Sequence, residues 1–495
     1  MSSTFGGLNI TVRGMNAQQM SLQTVGQNIA NASTAGYSRQ TVNLATTNPQ
    51  TAYSSNGTFQ LGTGVDVSSV TRARDTFVDK QMWKESSTLG YGQTMEDSLG
   101  KVEGVFQEPS DTGVQTVLNQ FWTSLQTLST NASDTGTRTT VQQRGIELVN
   151  AVQHASQQLQ DMVTNINSTV DLKVSNINQV TSEIGSLNNQ ISNIETGGVD
   201  HANDLRDRRD LLVDQLSTMI NITTTEDKGG NYNIQTSGTS LVSGNSVTKL
   251  ATLSTKDAYY GYPVENVVAA GSSQPILFTN GEMKGLLDSR DSSQTGVKGY
   301  LDKLDTVSQY LLQDFNDVHK AGVGTDGSTG TNFFGTDGTD YNLASSAPVA
   351  GNGGWIVKLQ VNPALLNATT GLAKIAARTS STQGGASGDN AILLGNSLKT
   401  DVSATLGNAS LDSYYTAVIG ALGVQSQDAQ RTTDNQTTLI AQITNWREST
   451  SGVNMDEEMT NMIKFQKGYN AAARVLTTMD DMLDKLINST GMVGR

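Results

Sequence analysis

Gly452-Val-Asn-Met-Asp-Glu-Glu-Met-Thr-Asn-Met-Ile-Lys-Phe-Gln-Lys-Gly-Tyr-Asn-Ala-Ala-Ala-Arg-Val-Leu-Thr-Thr-Met-Asp-Asp-Met-Leu-Asp-Lys-Leu-Ile-Asn488 is the stretch that decides the fold. Asn454 is placed to cap a helix, with Glu457 three residues on. Asp456, Glu457 and Glu458 fill the positively polarised first turn, and Lys485 and Gly491 suit the closing end. Inside it Met462, Phe465, Tyr469, Ala472, Leu476, Met479, Leu483 and Leu486 recur at spacings of three and four. That is the period of a coiled-coil seam, which needs a partner. At the other end of the chain Leu8, Val12, Met15, Gln19, Leu22, Gly26 and Ile29 repeat the spacing. The two ends are therefore expected to pair, so that the chain leaves and returns to one place.

At 495 residues the chain has room for about three domains with sizeable cores. Acidic residues number 46 against 32 basic, a net charge of -14, which argues against binding nucleic acid or an anionic membrane through a basic face. The absence of cysteine removes disulfides and thiolate metal sites and suits an oxidising or extracellular environment. Residues Met1 to Asn16 lack a charged segment followed by an apolar one, and no run approaches membrane-spanning length. Export, if it occurs, is expected to use no cleaved signal. Abundant Gly, Ser, Thr and Asn with few aromatics fit long polar helices joined by thin seams.

After the first helix, Asn31 and Gly36 can take the left-handed conformation that ends a helix. Val42 and Leu44, then Val65 and Val67, alternate with polar neighbours around a Gly- and Ser-rich stretch, the pattern of a hairpin or extended arm. A second helix opens at Thr71 to Trp83, with Phe77 and Trp83 as core anchors. A third region spans about 92–130 and breaks near Pro109. From Thr137 to Glu195, Leu159, Val163, Ile166, Val170, Val174, Ile177, Val180, Ile184, Leu187, Ile191 and Ile194 form one long stripe, which Gly197-Gly198 ends. The following helix turns Leu205, Leu212, Leu216 and Ile220 inward, and its charge-rich Asp204 to Asp210 run reads as a solvated face with pairs such as Asp204 to Arg208. Strand-like alternation then covers Thr223 to about Asn280 and, more loosely, Ala321 to Thr379, where Phe333, Phe334, Trp355, Ile356 and Val361 are candidate core. Helix fills Gly281 to Lys320 and resumes at Asp389.

No catalytic constellation can be assembled. His154, His201 and His319 lie far apart in sequence and outside any zinc pattern, and there is no phosphate-binding loop. Asp326-Gly, Asp337-Gly and Asp340 lack the spacing of a calcium loop. No cofactor and no metal are expected.

The segment Gln27-Asn-Ile-Ala-Asn-Ala-Ser-Thr-Ala-Gly-Tyr-Ser-Arg-Gln40 resembles the N-terminal signature of the flagellar rod, hook and hook-associated axial superfamily. Gly452 to Glu458, with Phe465-Gln-Lys-Gly-Tyr-Asn-Ala-Ala-Ala-Arg-Val-Leu476, resembles its C-terminal one. Two internal motifs, Gly62-Thr-Gly-Val-Asp-Val-Ser-Ser-Val-Thr-Arg-Ala-Arg-Asp75 and Asn203-Asp-Leu-Arg-Asp-Arg-Arg-Asp-Leu-Leu-Val-Asp-Gln-Leu-Ser217, narrow the resemblance to the flagellar hook-associated protein 1 family of hook-filament junction proteins. Ala35 stands where that family often has proline, and Phe465 where tyrosine is common.

The resemblance implies a structural role in the bacterial flagellum and no enzymatic activity. It implies a ring of copies of the chain on the hook protein, on which the second junction protein, the filament cap protein and flagellin assemble. It also implies type III export without a cleaved signal, and a cytoplasmic chaperone at the C-terminal helix. The expected fold is mainly α with an inserted antiparallel β domain. Its parts are a terminal coiled-coil domain at 1–60 and 447–495, a helical rod at 61–222, 281–320 and 385–446, and a β-rich insert at 223–280 and 321–384. Leu8, Val12, Met15, Leu22, Ile29, Met462, Phe465, Tyr469, Leu476, Met479, Leu483 and Leu486 are the expected assembly interface. The alternative is a secreted coiled-coil adhesin or another extracellular scaffold, which would need an anchor that the sequence does not display.

Overall fold

The computed structural model describes residues 5–54, 57–108, 110, 113–196 and 201–489. In chain order the elements begin with α1 (Gly6–Ala30), β1 (Gln40–Thr46), β2 (Gln50–Ser54), β3 (Gly57–Leu61), β4 (Val65–Arg72), α2 (Thr76–Phe106), α3 (Val114–Thr130), α4 (Thr135–Glu195) and α5 (Asn203–Met219). Short strands follow: β5 (Thr223–Glu226), β6 (Tyr232–Thr236), β7 (Thr239–Ser243), β8 (Ser246–Val247), β9 (Leu250–Lys256) and β10 (Pro263–Ala269). The remaining helices are α6 (Glu282–Asp291), α7 (Val297–Tyr310), α8 (Asn316–Ala321), α9 (Asp389–Lys399), α10 (Leu411–Ser451) and α11 (Met455–Asp484). The fold is mainly helical, with small antiparallel sheets inserted in the middle of the chain.

The chain forms two compact units. One holds residues 1–87, 177–249 and 437–495, the other 88–176 and 250–436. In the first, α1 and α11 pack on each other and β1 pairs antiparallel with β4, from Gln40 opposite Arg72 to Thr46 opposite Val65, with a bulge at Asn43 and Leu44. Both strands of that ladder also lie against α1. Strands β5 to β8 form a meander in sequence order, and a Cβ at Gly185 of α4 would stand 2.7 Å from Val247 of that meander. In the second unit α3 packs on α9, and Phe121, Phe315, Phe333 and Phe334 interlock with centroids 4.8 to 6.0 Å apart. Asn316, fully buried beside them, accepts from the Phe333 and Phe334 amides and donates to the Phe334 carbonyl, so the backbone enters the core with its polar groups paired.

The α4 stripe is buried from Leu159 to Ile191, and only Ile194, in its last turn, is exposed. Other expectations need correction. The segments read as two helical regions before Pro109 form one continuous α2, because no proline stands between Trp83 and Gly92. Phe77 is 65% exposed and meets Trp446 edge-on rather than entering the core. Strands end at Ala269 rather than near Asn280. The 321–379 block has no extended strand among the described residues, only single bridges such as Val323 to Arg378 and Phe334 to Val361. Glycines at positive φ, among them Gly335 and Gly354, turn the chain before a ladder can lengthen. Its aromatic residues are nonetheless buried. Asn31 is not left-handed, whereas Gly36 is, at φ 79°. The breaks assigned to Pro109 and Gly197-Gly198 and the helix end assigned to Gly491 lie outside the described residues.

Candidate functional site

Helix α11 starts as its sequence dictates: the Asn454 side chain accepts from the amides of Asp456 and Glu457, and three carboxylates occupy the first turn. It runs antiparallel to α1. Gly7 and Thr11 lie beside Met479, Gln18 beside Gly468, and Asn28 beside Glu458. Leu8, Val12, Met15, Leu22 and Ile29 of α1 are half-buried, as are Met462, Phe465, Tyr469, Leu476, Met479 and Leu483 of α11, while Leu486 is exposed. The fully buried α1 positions are instead small or polar: Thr11, Ala17, Ser21, Thr24, Val25 and Asn28. Gln19 is exposed, and a Cβ at Gly26 would meet nothing within 4 Å. A second set of apolar side chains on α11, Met455, Met459 and Ile463, stands exposed.

The pair is anchored where the signature motifs meet. Asn28 donates to the Gln40 carbonyl and to Glu458, and its side-chain oxygen accepts from the Gln40 amide and the Tyr37 hydroxyl. Every polar atom of this buried amide is thus used. Arg39 reaches Glu457 at 2.8 Å, and its amide donates to the Ser451 carbonyl, which ties the N-terminal turn to the α10–α11 link. Burial, with Asp204, Asp207 and Glu458 nearby, pushes the Tyr37 hydroxyl pKa well above its ordinary value, so it remains a donor.

Helix α5 corrects the sequence reading most. Its Asp204 to Asp210 run is not a solvated face: Arg209 is 0% exposed, Asp210 1%, and Asp207 is buried with them. Asn203, Asp207, Asp210, Val213 and Ser217, at helical spacing, form much of the inward face, whereas Leu205 and Leu212 are only half-buried. Arg208 pairs with Glu183 rather than with Asp204. The carboxylates meet arginines from the β4 motif. Arg72 contacts Asp207 at 2.6 Å and Asp210 at 2.8 Å; Arg74 forks onto Asp79 and approaches Asp210 at 3.4 Å. Asp207 also accepts from the Ser38 amide, and Asp204 from Gln27 and Gln40. Arg209 lies over the Tyr232 ring at 3.7 Å and donates to Asn188 and the Gly230 carbonyl.

Electrostatics follow the packing. Burial alone would raise Asp210, but Arg74, Arg72 and Arg209 hold its pKa below the ordinary value. Burial lowers Arg209. Asp79 is raised by burial, against the pull of Arg74 and Arg447. A half-open cleft of about 850 Å³ beside this network is lined by the Ala32–Arg39 turn, Asp214, Arg447 and the Gly452–Asn454 link. Of its charged groups, Arg447 pairs with Asp214, Arg39 with Glu457 and Arg74 with Asp79. Nothing here activates a nucleophile. Among the described residues no group of three or more His, Cys, Asp or Glu could hold a metal ion, and no helix is long and apolar enough to cross a membrane. The arrangement clamps the end of α1, the start of α11 and α5 together.

Comparison with known proteins places relatives along the whole chain. Residues 99–334 match the family model described as the flagellar hook-associated protein FlgK helical domain. Residues 8–37 match that of the flagella basal body rod protein, and 447–489 that of the flagellar basal body rod FlgEFG protein C-terminal. Flagellar hook-associated protein 1 of Bacillus subtilis (strain 168) is 34% identical over an alignment of 529 positions, covering 100% of both chains. That of Escherichia coli (strain K12) is 28% identical, covering 97% of this chain and 99% of its own. The solved structure of the flagellar hook junction protein FlgK from Burkholderia pseudomallei superposes with a TM-score of 0.59 at 18% identity. It covers 75% of this chain and 100% of that one, a likeness of fold.

Proposed function

The chain belongs to the flagellar hook-associated protein 1 family, a family of flagellar structural components, and from that premise we propose that it forms the ring joining hook to filament. The observation that carries this reading is the α1–α11 pair. Its seam side chains are only half-buried within one chain, and a second apolar set on α11 is bare. Neighbouring copies stacked around an axis would complete that burial, at about 1.5–3 kcal/mol per large apolar side chain. In this reading Leu8, Val12, Met15, Leu22, Ile29, Met462, Phe465, Tyr469, Leu476, Met479, Leu483 and Leu486 form the assembly interface. The terminal helices are the axial core, the other helices the rod, and the middle segments the outer part.

The same reading gives the partners. The hook protein lies beneath, the second junction protein and the filament cap protein lie above, and a cytoplasmic chaperone covers α11 before export without a cleaved signal. The chain catalyses no reaction. Deletion of the gene is expected to leave hooks without filaments and to release flagellin into the medium. Normal filaments in electron micrographs of the deletion strain would remove the reading.

A further inference from the structure

The β2–β3 ribbon is a two-stranded sheet of five residues a side, with Gln50 opposite Leu61, Ala52 opposite Phe59 and Tyr53 opposite Thr58. Alternation along the strands puts Gln50, Ala52, Phe59 and Leu61 on one face and Thr51, Tyr53, Thr58 and Gln60 on the other. Every residue of β3 is exposed, Phe59 by 49% and Leu61 by 43%. Among the described residues neither edge of the ribbon pairs with another strand, and Phe59 has no aromatic neighbour. A two-stranded ribbon without a third strand gains little stability in water, and an uncharged edge invites association. No Lys, Arg, Asp or Glu occurs from Gln40 to Val65, in a chain with a net charge of -14. Copies of such a chain repel one another, and this uncharged run adds no charge repulsion of its own where a second copy meets it.

The base of the ribbon adjoins the surface already implicated in assembly. Strands β1 and β4 lie on α1, Thr47 bonds to Thr63 and to the Gly64 carbonyl, and a Cβ at Gly64 would stand 3.3 Å from the Ile10 backbone. A ring requires two different surfaces on each copy, one giving and one receiving. The same compact unit displays a second aromatic site, Phe77 and Trp446, with ring centroids 6.4 Å apart, Phe77 largely exposed and Trp446 about half exposed. We propose that the Ala52–Phe59–Leu61 face of one copy docks on the Phe77–Trp446 pair of the next copy of this chain. Edge and face contacts between aromatic rings, with Leu61 filling the side, supply the attraction. The proposal rests on the reading of the chain as a self-assembling ring.

The test uses the full chain in a strain that lacks its own copy. Phe59→Asp with Leu61→Asp puts charge on the docking face, and Thr58→Asp puts it on the opposite face. Both sites are exposed, so the purified variants should melt like wild type. The first is expected to lower the amount of protein held at hook tips by about tenfold or more, as loss of interface anchors does, and the second to leave it unchanged. Failure of wild type to reach hook tips would sink the ring reading itself. Equal assembly of wild type and both variants would sink only the docking face. The chain has no cysteine, so Phe59→Cys with Trp446→Cys and a short bis-maleimide gives an independent measurement. A ladder of dimers, trimers and larger species is expected from the double variant alone. Dimers that stop there with Phe59→Cys alone would mean two ribbons pair symmetrically, and absence of any cross-link would mean the surfaces never meet; either overturns the proposal.

Discussion

Asp210 accepts from Arg72, faces Arg74 at 3.4 Å and is almost fully buried, so its removal leaves Arg72 to Asp207 and Arg74 to Asp79 alone and takes one negative charge out of a low-dielectric site. Asp210→Ala is expected to lose about 3–5 kcal/mol in urea unfolding, against about 1 kcal/mol for Asp204→Ala, which is exposed and takes only amide hydrogen bonds. Equal losses would mean that the network is hydrated in solution. His319 offers a pH-dependent counterpart. Its ring is buried between the Thr331 carbonyl and the Ala376 amide, and burial holds its pKa at about 4 against an ordinary 6.5. The folded chain binds its proton only near pH 4 and the unfolded chain near 6.5. Stability from this site is therefore complete above about 6.5 and drains away as pH falls toward 4, by about 2–4 kcal/mol. His319→Gln, which keeps a donor and an acceptor without titrating, should flatten that part of the profile; an unchanged slope would acquit the imidazole. The buried charges were the least legible feature of the sequence. A run such as Asp204-Leu-Arg-Asp-Arg-Arg-Asp210 is usually solvated, and only the spacing of Asp207, Asp210 and Val213 on one face, with two arginines flanking the end of a strand, hints otherwise.

Helices with long apolar stripes were readable because a period near 3.5 leaves few alternatives, and α4 keeps its stripe buried from Leu159 to Ile191. The α11 start was readable from Asn454 and the acidic first turn. The coil from Ala321 to Thr379 was not. Its glycine-rich alternation mimics strands, and its burial comes from aromatic packing and side-chain hydrogen bonds, which carry no period. The α1–α11 pair is weakly held from the α11 side, where Glu458 is the one residue fully buried among those described. Amide exchange in dilute chain is expected to be fast through Leu22, Tyr469 and Leu476 and slow in the middle of α4. Limited proteolysis should trim both ends to a core of about 65–446. Strong protection at those three amides would mean the pair is stable alone. Asn454→Ala should weaken α11 by about 1 kcal/mol, read as faster exchange in its first turns.

For the molecule as a whole the charge balance of -14 sets how copies meet. Self-association is expected to strengthen as salt rises from about 0.01 M to 0.15 M, because the screening length falls from about 30 Å to 8 Å while apolar contacts persist. Sedimentation at the two salt levels checks this, and weaker association at the higher level would place ion pairs rather than apolar faces at the contact. A different consequence follows from the bond between Asn28 and Glu458, residues 430 positions apart. A chain that emerges from its amino end cannot close this bond until nearly all of it has arrived. The clamp is therefore a test of completeness: a molecule that stops short of Glu458 leaves one bond of the Asn28 amide unmade and α1 without its companion helix.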